Sequence, residues 1–342
     1  MKAAMYYSNS DVRLEDVPQP GISPDEALLK VEASGICGSD VMEWYRRDKV
    51  PLVLGHEVAG RLTQVGARVK GFKINDRIVA THHVPCGRCA YCRDGHSTVC
   101  DLLRSTHFYP GGFSEYVRLP AVNLKSGTLK IPRRLTFAEA SFAEPLGCVL
   151  RGQRLAGMKK GRRVLVIGSG ISGLLHVKCA RYRGAEWIAA TDVDPYRLKM
   201  AKKFGADRAF NAKEDVPLSV KKNNRGRLAD LVILCSGAPA AVEQGLRSVD
   251  RGGTVLIFTA AAKDSFLPLS TNDIFWRTEV KILSSYAASP DDLKEALKLI
   301  AAKEIVVKDM ITHRLPLEKI QEGFDLVVHP RNSIKVVIEP GR

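Results

Sequence analysis

Long apolar runs are missing from this chain of 342 residues. No stretch approaches the ~20 uncharged residues that a membrane helix needs, so a membrane-spanning protein is not expected. An apolar leader is missing as well. Met1-Lys2-Ala3-Ala4-Met5-Tyr6-Tyr7-Ser8 turns polar at once and has no continuous hydrophobic region, which argues against a secretory signal and for a cytoplasmic protein. Acidic residues are comparatively few: 37 Asp and Glu face 52 Lys and Arg, for a formal net charge of +15. That balance suits nucleic acid, an acidic substrate or a basic solvated surface, but the cations are scattered rather than gathered in a block or tail, which counts against nucleic acid. Internal repeats and low-complexity linkers are absent. Cysteines number only eight, and four of them crowd between Cys86 and Cys100. In a chain without a signal, such a quartet argues for metal over disulfides.

What is present is enough for two domains, since the length exceeds the usual size of one hydrophobic core. Around Arg163 the texture changes. Arg163-Val164-Leu165-Val166-Ile167 is a short apolar run ending in glycines, followed by helical spacing through Leu174, Val177 and Ala180, which predicts a strand, a tight turn and a helix. A second run, Trp187 to Thr191, ends at Asp192. Pro195 to Phe204 then reads as a helix, with proline near its start and Gly205 past its end. Further apolar runs follow at Leu231 to Leu234, Thr254 to Phe258 and Val280 to Leu283. Strands separated by helices predict an α/β domain with a parallel sheet wound on both faces. Up to about Pro145 the chain instead shows short alternating runs, such as Ala27 to Val31 and Arg77 to Ala80, broken by Gly, Pro and Asn/Asp turns; it reads as mostly β. After Pro290 come a helical segment, Leu293 to Ala302, and a strand-like tail, Ile334 to Glu339, which could close back onto the first part.

Cys86-Gly-Arg-Cys89-Ala-Tyr-Cys92, followed by Cys100, places four thiols in one short loop. Two-residue gaps let thiolates converge on one tetrahedral zinc, and a full set of sulfurs leaves no open position, so this site is expected to be structural. An iron–sulfur cluster or a redox dithiol is the alternative, with nothing else in the chain to suggest electron transfer. A second candidate site is Cys37 with His56 and Glu57, set in Gly35-Ile36-Cys37-Gly38-Ser39-Asp40 and Gly55-His56-Glu57. A thiolate, an imidazole and a carboxylate suit zinc with a fourth position open to water or substrate, where the ion acts as a Lewis acid on an alcohol. Alone, a cysteine and a distant histidine favour a buried thiol and a hydrogen-bonded core histidine; the surrounding glycines and the four-cysteine loop shift the reading toward metal. Ser39, two residues past Cys37, points the same way as the thiolate if the segment is extended, and could then accept the alcohol proton; otherwise it is a turn serine bonded to its own backbone.

Gly168-Ser-Gly170-Ile171-Ser-Gly173 matches G-x-G-x-x-G after a strand and before a helix, with Asp192 nineteen residues past the last glycine. The glycines admit a pyrophosphate at the helix N-terminus, and Asp192 suits the ribose hydroxyls of NAD while repelling the extra phosphate of NADP. Asp192 as a helix cap is the competing reading, for which Asp194 is better placed. Arg197 either stacks near the adenine or faces solvent.

These motifs, with Glu144-Pro145-Leu146, carry a resemblance over nearly the whole chain to the medium-chain zinc alcohol dehydrogenases, and within them to the sorbitol and threonine dehydrogenase branch. The resemblance implies a GroES-like catalytic domain from residues 1–146 and 288–342 around a Rossmann NAD-binding domain at 147–287. It implies two zinc ions per chain, a catalytic one held by Cys37, His56 and either Glu57 or Glu144, and a structural one held by Cys86, Cys89, Cys92 and Cys100. It further implies NAD as cofactor, cofactor contacts at Gly168, Gly170, Ile171, Gly173, Asp192 and Arg197, hydride transfer with a secondary alcohol, and homodimers or homotetramers.

Two departures concern the substrate. Met42 and Glu43 stand where the family has a relay histidine or a substrate-facing tyrosine, and the Arg-Tyr pair of sorbitol enzymes is not evident around Tyr286. Arg46, Arg47 and Lys49 lie between the metal motifs; a phosphorylated or carboxylated sugar alcohol would suit such a loop, as would mere solvation. The expected substrate is a polyol or sugar alcohol, with an amino alcohol of the threonine type as alternative. A catalytically silent NAD-binding zinc protein is the reading from another class.

Overall fold

The computed structural model describes every residue of the chain except Pro268. It divides into two compact units, one made of Met1–Gly147 with Ala287–Arg342 and the other of Cys148–Tyr286.

The first unit is mostly β. Strand Ala27–Gly35 is the hub of a seven-stranded sheet: it pairs antiparallel with Glu57–Val65, with Tyr116–Leu119 and with the tail strand Lys335–Ile338, while Arg77–Thr81, Thr128–Lys130 and Ile311–Leu315 extend the sheet outward. The tail therefore lies beside residues some 300 positions earlier, with Val337 opposite Gly35. A smaller sheet joins Lys2–Ser8 to Asp11–Asp16 and Leu52–Val53. Its apolar clusters include one around Tyr6, Ile36, Phe113 and Phe324, one around Leu29, Val58, Leu62, Ile78 and Val117, and a small one of Ala33, Ala138 and Val337. Alternate residues of the antiparallel strands supply these faces, as period-two patterning requires.

The second unit holds a six-stranded, wholly parallel sheet. Numbered within the unit from Arg163–Ile167 to Lys281–Ser284, its strands run in the order 3-2-1-4-5-6, the doubly wound arrangement of dinucleotide-binding folds. Residues 164–167, 188–192 and 231–234 of the central strands are buried throughout because helices cover both faces. One strand, Arg208–Asn211, escapes the hydrophobic pattern: Arg-Ala-Phe-Asn is short and half polar, so only its pairing with Ala189–Asp192 reveals it. Among the described residues, no helix is long and apolar enough to cross a membrane.

Candidate active site

Sheet register explains how Cys37 and His56 meet. Gly35 ends the hub strand directly opposite Glu57, so Cys37, two residues beyond one strand, and His56, just before the other, emerge at the same end of the sheet. The ligand atoms of Cys37, His56 and Glu57 lie within 4.8 Å of one another. Glu144, buried in the first turn of helix Ala143–Leu155, stands outside that group.

Behind these donors lie two charged residues that the sequence reading did not single out. Asp40 is fully buried; one carboxylate oxygen accepts the Cys37 backbone N–H at 2.9 Å and the other lies 3.3 Å from His56 Nδ1. Burial alone would depress the His56 pKa, but the Asp40 carboxylate and the Cys37 sulfur outweigh it and hold the imidazole well above its ordinary value. For Asp40 burial acts upward, and His56 with the Cys37 N–H brings the carboxyl below its ordinary value. This carboxylate–histidine pairing fixes the ring so that its other nitrogen is the one presented to a metal. Lys335, 1% exposed, forms an ion pair with Glu57 and donates to the Ile36 carbonyl at 2.9 Å. Gly35 makes room for that pair, since a Cβ there would collide with Glu57 Oε2 and crowd Lys335 Nζ.

Ser39 does not sit in an extended segment. Residues 38–40 form a turn closed by the Asp40 N–H donating to the Cys37 carbonyl at 3.0 Å, so the period-two argument for aligning the hydroxyl with the thiolate does not hold. The Ser39 carbonyl accepts from Arg46 Nη2 at 3.1 Å. Of the basic loop, Arg46 acts electrostatically on Asp40 and on His82 and His107, and Lys49 on His107, whereas Arg47 is exposed. Arg46 Nε is buried without a hydrogen-bond acceptor.

The four cysteines of the loop converge: all four sulfurs lie within 4.8 Å, with Cys89 and Cys92 at 3.5 Å and Cys86 and Cys92 at 3.9 Å. A tetrahedron with Zn–S of about 2.3 Å has edges of about 3.8 Å. Backbone N–H groups of Arg88 and Cys89 point at Cys86 Sγ and lower its pKa to about 6, while burial pushes Cys92 up to about 12. Thiols packed this closely cannot all ionise without a cation among them. All eight cysteines are free of disulfides.

In the second unit the glycine turn joins strand Arg163–Ile167 to helix Ile171–Tyr182. Gly168 has φ +90°, a left-handed conformation that favours glycine, and a Cβ on Gly173 would collide with the Gly168 carbonyl. Above Gly170 a Cβ would meet nothing nearer than Arg197 Nη1 at 4.0 Å, and no side chain caps the helix, so its first N–H groups are available to an anion. Asp192 is held at the end of its strand by the N–H groups of Ser169 at 2.8 Å and Asp194 at 3.0 Å. Asp194, not Asp192, caps the next helix, accepting from the Tyr196 N–H at 2.8 Å. Arg197 pairs with Asp192 at 3.8 Å, a partner its sequence position did not suggest.

A parallel sheet ordered 3-2-1-4-5-6 with a glycine turn, and a β unit carrying sulfur-rich donor clusters, together define the architecture of a zinc-binding dehydrogenase. Residues 23–133 match the alcohol dehydrogenase GroES-like domain and residues 172–302 the zinc-binding dehydrogenase domain. The chain is 30% identical to sorbitol dehydrogenase of Bacillus subtilis, covering 100% of this chain and 98% of that one, and 34% identical to L-threonine 3-dehydrogenase of Bacillus licheniformis, covering 92% and 91%. Among solved structures it resembles a Sinorhizobium meliloti chain described as a zinc-binding dehydrogenase and bound to NADP, with TM-score 0.88, 30% identity and 99% coverage of both chains. It also resembles galactitol-1-phosphate dehydrogenase of Escherichia coli, with TM-score 0.87, 25% identity and coverage of 99% and 100%. The chain belongs to the medium-chain zinc-dependent alcohol dehydrogenase family, in its sorbitol and threonine dehydrogenase branch.

Proposed function

We propose that Cys37, His56 and Glu57 hold a catalytic zinc, that Cys86, Cys89, Cys92 and Cys100 hold a structural one, and that the chain exchanges a hydride between a secondary alcohol and NAD. The observation that carries this reading is the convergence of a thiol, an imidazole and a carboxylate within 4.8 Å, with Asp40 behind the imidazole. Three protein ligands leave a position open, and an ion there lowers the pKa of a bound alcohol. Asp40 orients His56 and, through the Cys37 N–H, the thiolate; Lys335 holds Glu57 at the sheet end. Glu144 remains the alternative carboxylate, and Ser39, at the rim of the same turn, is the first acceptor for the alcohol proton.

In the other unit the uncapped start of helix Ile171–Tyr182 receives the pyrophosphate between Gly168 and Gly173. Asp192 favours NAD: its buried carboxylate meets ribose hydroxyls and opposes a 2′-phosphate, while Arg197, already paired with it, contacts the adenosine end. We read the substrate as a polyol or sugar alcohol carrying an anionic group, because Arg46 keeps a buried N–H without an acceptor beside the donor cluster. We also read the active form as a homodimer or homotetramer in the cytoplasm.

Metal analysis and a screen of NAD reduction over polyols, their phosphates and amino alcohols test the proposal. Cys37→Ala is expected to bind one zinc fewer and to lose turnover by at least about a thousandfold while still binding NAD, as removal of a Lewis acid requires. Retained turnover in that variant overturns the assignment, and preference for threonine over any polyol replaces the substrate class.

A further inference from the structure

A third group of ligating side chains lies in the β unit, outside both sulfur clusters. His82 and His83 follow strand Arg77–Thr81, and His107 follows the short helix Asp101–Ser105; one ring nitrogen from each lies within 4.8 Å of the others. His83 Nδ1 lies 3.3 Å from the Thr106 carbonyl. A carbonyl can only accept, so this contact favours the tautomer protonated at Nδ1, and the Leu103 carbonyl also bonds the ring. His82 Nδ1 is buried with no hydrogen-bond partner. A buried ring nitrogen without a partner is costly unless something else occupies it. The three rings belong to two loops, so nothing in local sequence demands that their nitrogens converge.

We propose that His82, His83 and His107 form a third metal site, for a borderline divalent ion such as zinc, cobalt or nickel. Imidazole donors without sulfur or carboxylate select this class over magnesium and calcium. Three ligands would leave the ion a position for a further donor, and Lys49 and Arg46 act on His107, the exposed member of the group. Their charge makes an anion, such as chloride, carboxylate or phosphate, the fitting occupant of the open position. The site needs none of the catalytic assignments above, because it shares no ligand with them.

The test uses the full-length chain carrying its tightly held metal, titrated with cobalt(II) alone while bound metal and absorption are recorded. The expected result is one further equivalent with visible d–d bands and no added sulfur-to-metal charge-transfer band, since its donors are nitrogens. His107→Ala, at an exposed position, is expected to weaken this equivalent at least about tenfold, on the scale seen when one group is removed from a metal site. Cys37→Ala is expected to keep it, which separates this site from the catalytic proposal. Absence of the further equivalent in the wild type, unchanged affinity in His107→Ala, or a charge-transfer band rising with it would each overturn the assignment.

Discussion

In the unit built from the two chain ends, the polar interior near Gly35 is made of charges set against charges: Lys335 against Glu57, and Asp40 against His56. In the central unit the fully buried His176 is handled differently. Gln153 Nε2 donates to its Nδ1 at 3.3 Å and to its carbonyl at 2.8 Å, Phe258 packs edge-on at 4.4 Å, and burial pushes the imidazole pKa down to about 3. One region keeps ionised groups that a cation can reward; the other keeps its histidine neutral, with Nε2 buried and without a hydrogen-bond partner. The difference teaches how each interior limits the cost of buried polarity, by pairing opposite charges in one and by refusing a proton in the other. A charged interior is tolerated where it orients donors, and a neutral one is cheaper where nothing binds.

The largest expected effect falls on the charged side. Lys335→Met leaves Glu57 buried without its cation and is expected to cost about 3–5 kcal/mol in unfolding free energy. A loss below about 1 kcal/mol by urea denaturation would mean the pair behaves like a surface bridge and would dissolve the contrast. Next comes Asp40→Asn, which keeps the shape but removes the charge facing His56. A 10–100-fold loss of zinc affinity at the Cys37 site is expected, on the scale of about 1.4–2.7 kcal/mol, with the four-cysteine site unchanged. Competition with a chelator measures both sites, and equal weakening of the two would show a general loss of folding instead.

An effect confined to acid pH belongs to the neutral side. His176 has a folded pKa of about 3 against an ordinary 6.5, so below pH 6.5 the unfolded chain takes up a proton that the folded chain refuses. Stability from this residue is therefore present above pH 6.5 and is lost as the pH falls toward 3. At pH 5 the loss is about 2 kcal/mol, and His176→Phe is expected to remove it. Identical acid sensitivity of variant and wild type between pH 7 and 5 would show that other groups carry it.

Legibility followed locality. The four cysteines lie in one loop, and the glycine turn with its following helix runs only from Gly168 to Tyr182, so their spacing could be read directly. The capping role of Asp194 was legible for the same reason. Lys335 was overlooked although it carried a signal, a lone cation inside the apolar run Ile334–Ile338. Asp40 was visible within Cys37-Gly-Ser-Asp40 but had no stated task until His56 arrived beside it. Whether Ser39 lies in an extended segment or a turn is not set by its spacing from Cys37, and the structure shows the turn. Arg197 and the strand Arg208–Asn211 depend on partners that spacing cannot name.

By itself, then, the sequence determined the family, the two-part organisation of sheet types, the sulfur loop and the glycine turn, because each rests on residues whose geometry is set within a few peptide bonds. Only the tertiary structure decided that Gly35 faces Glu57, that Lys335 reaches Glu57 from the far end of the chain, and that three histidines from two loops share one small volume. Those contacts are set by strand register and burial, which depend on the whole sheet rather than on any neighbouring stretch of chain.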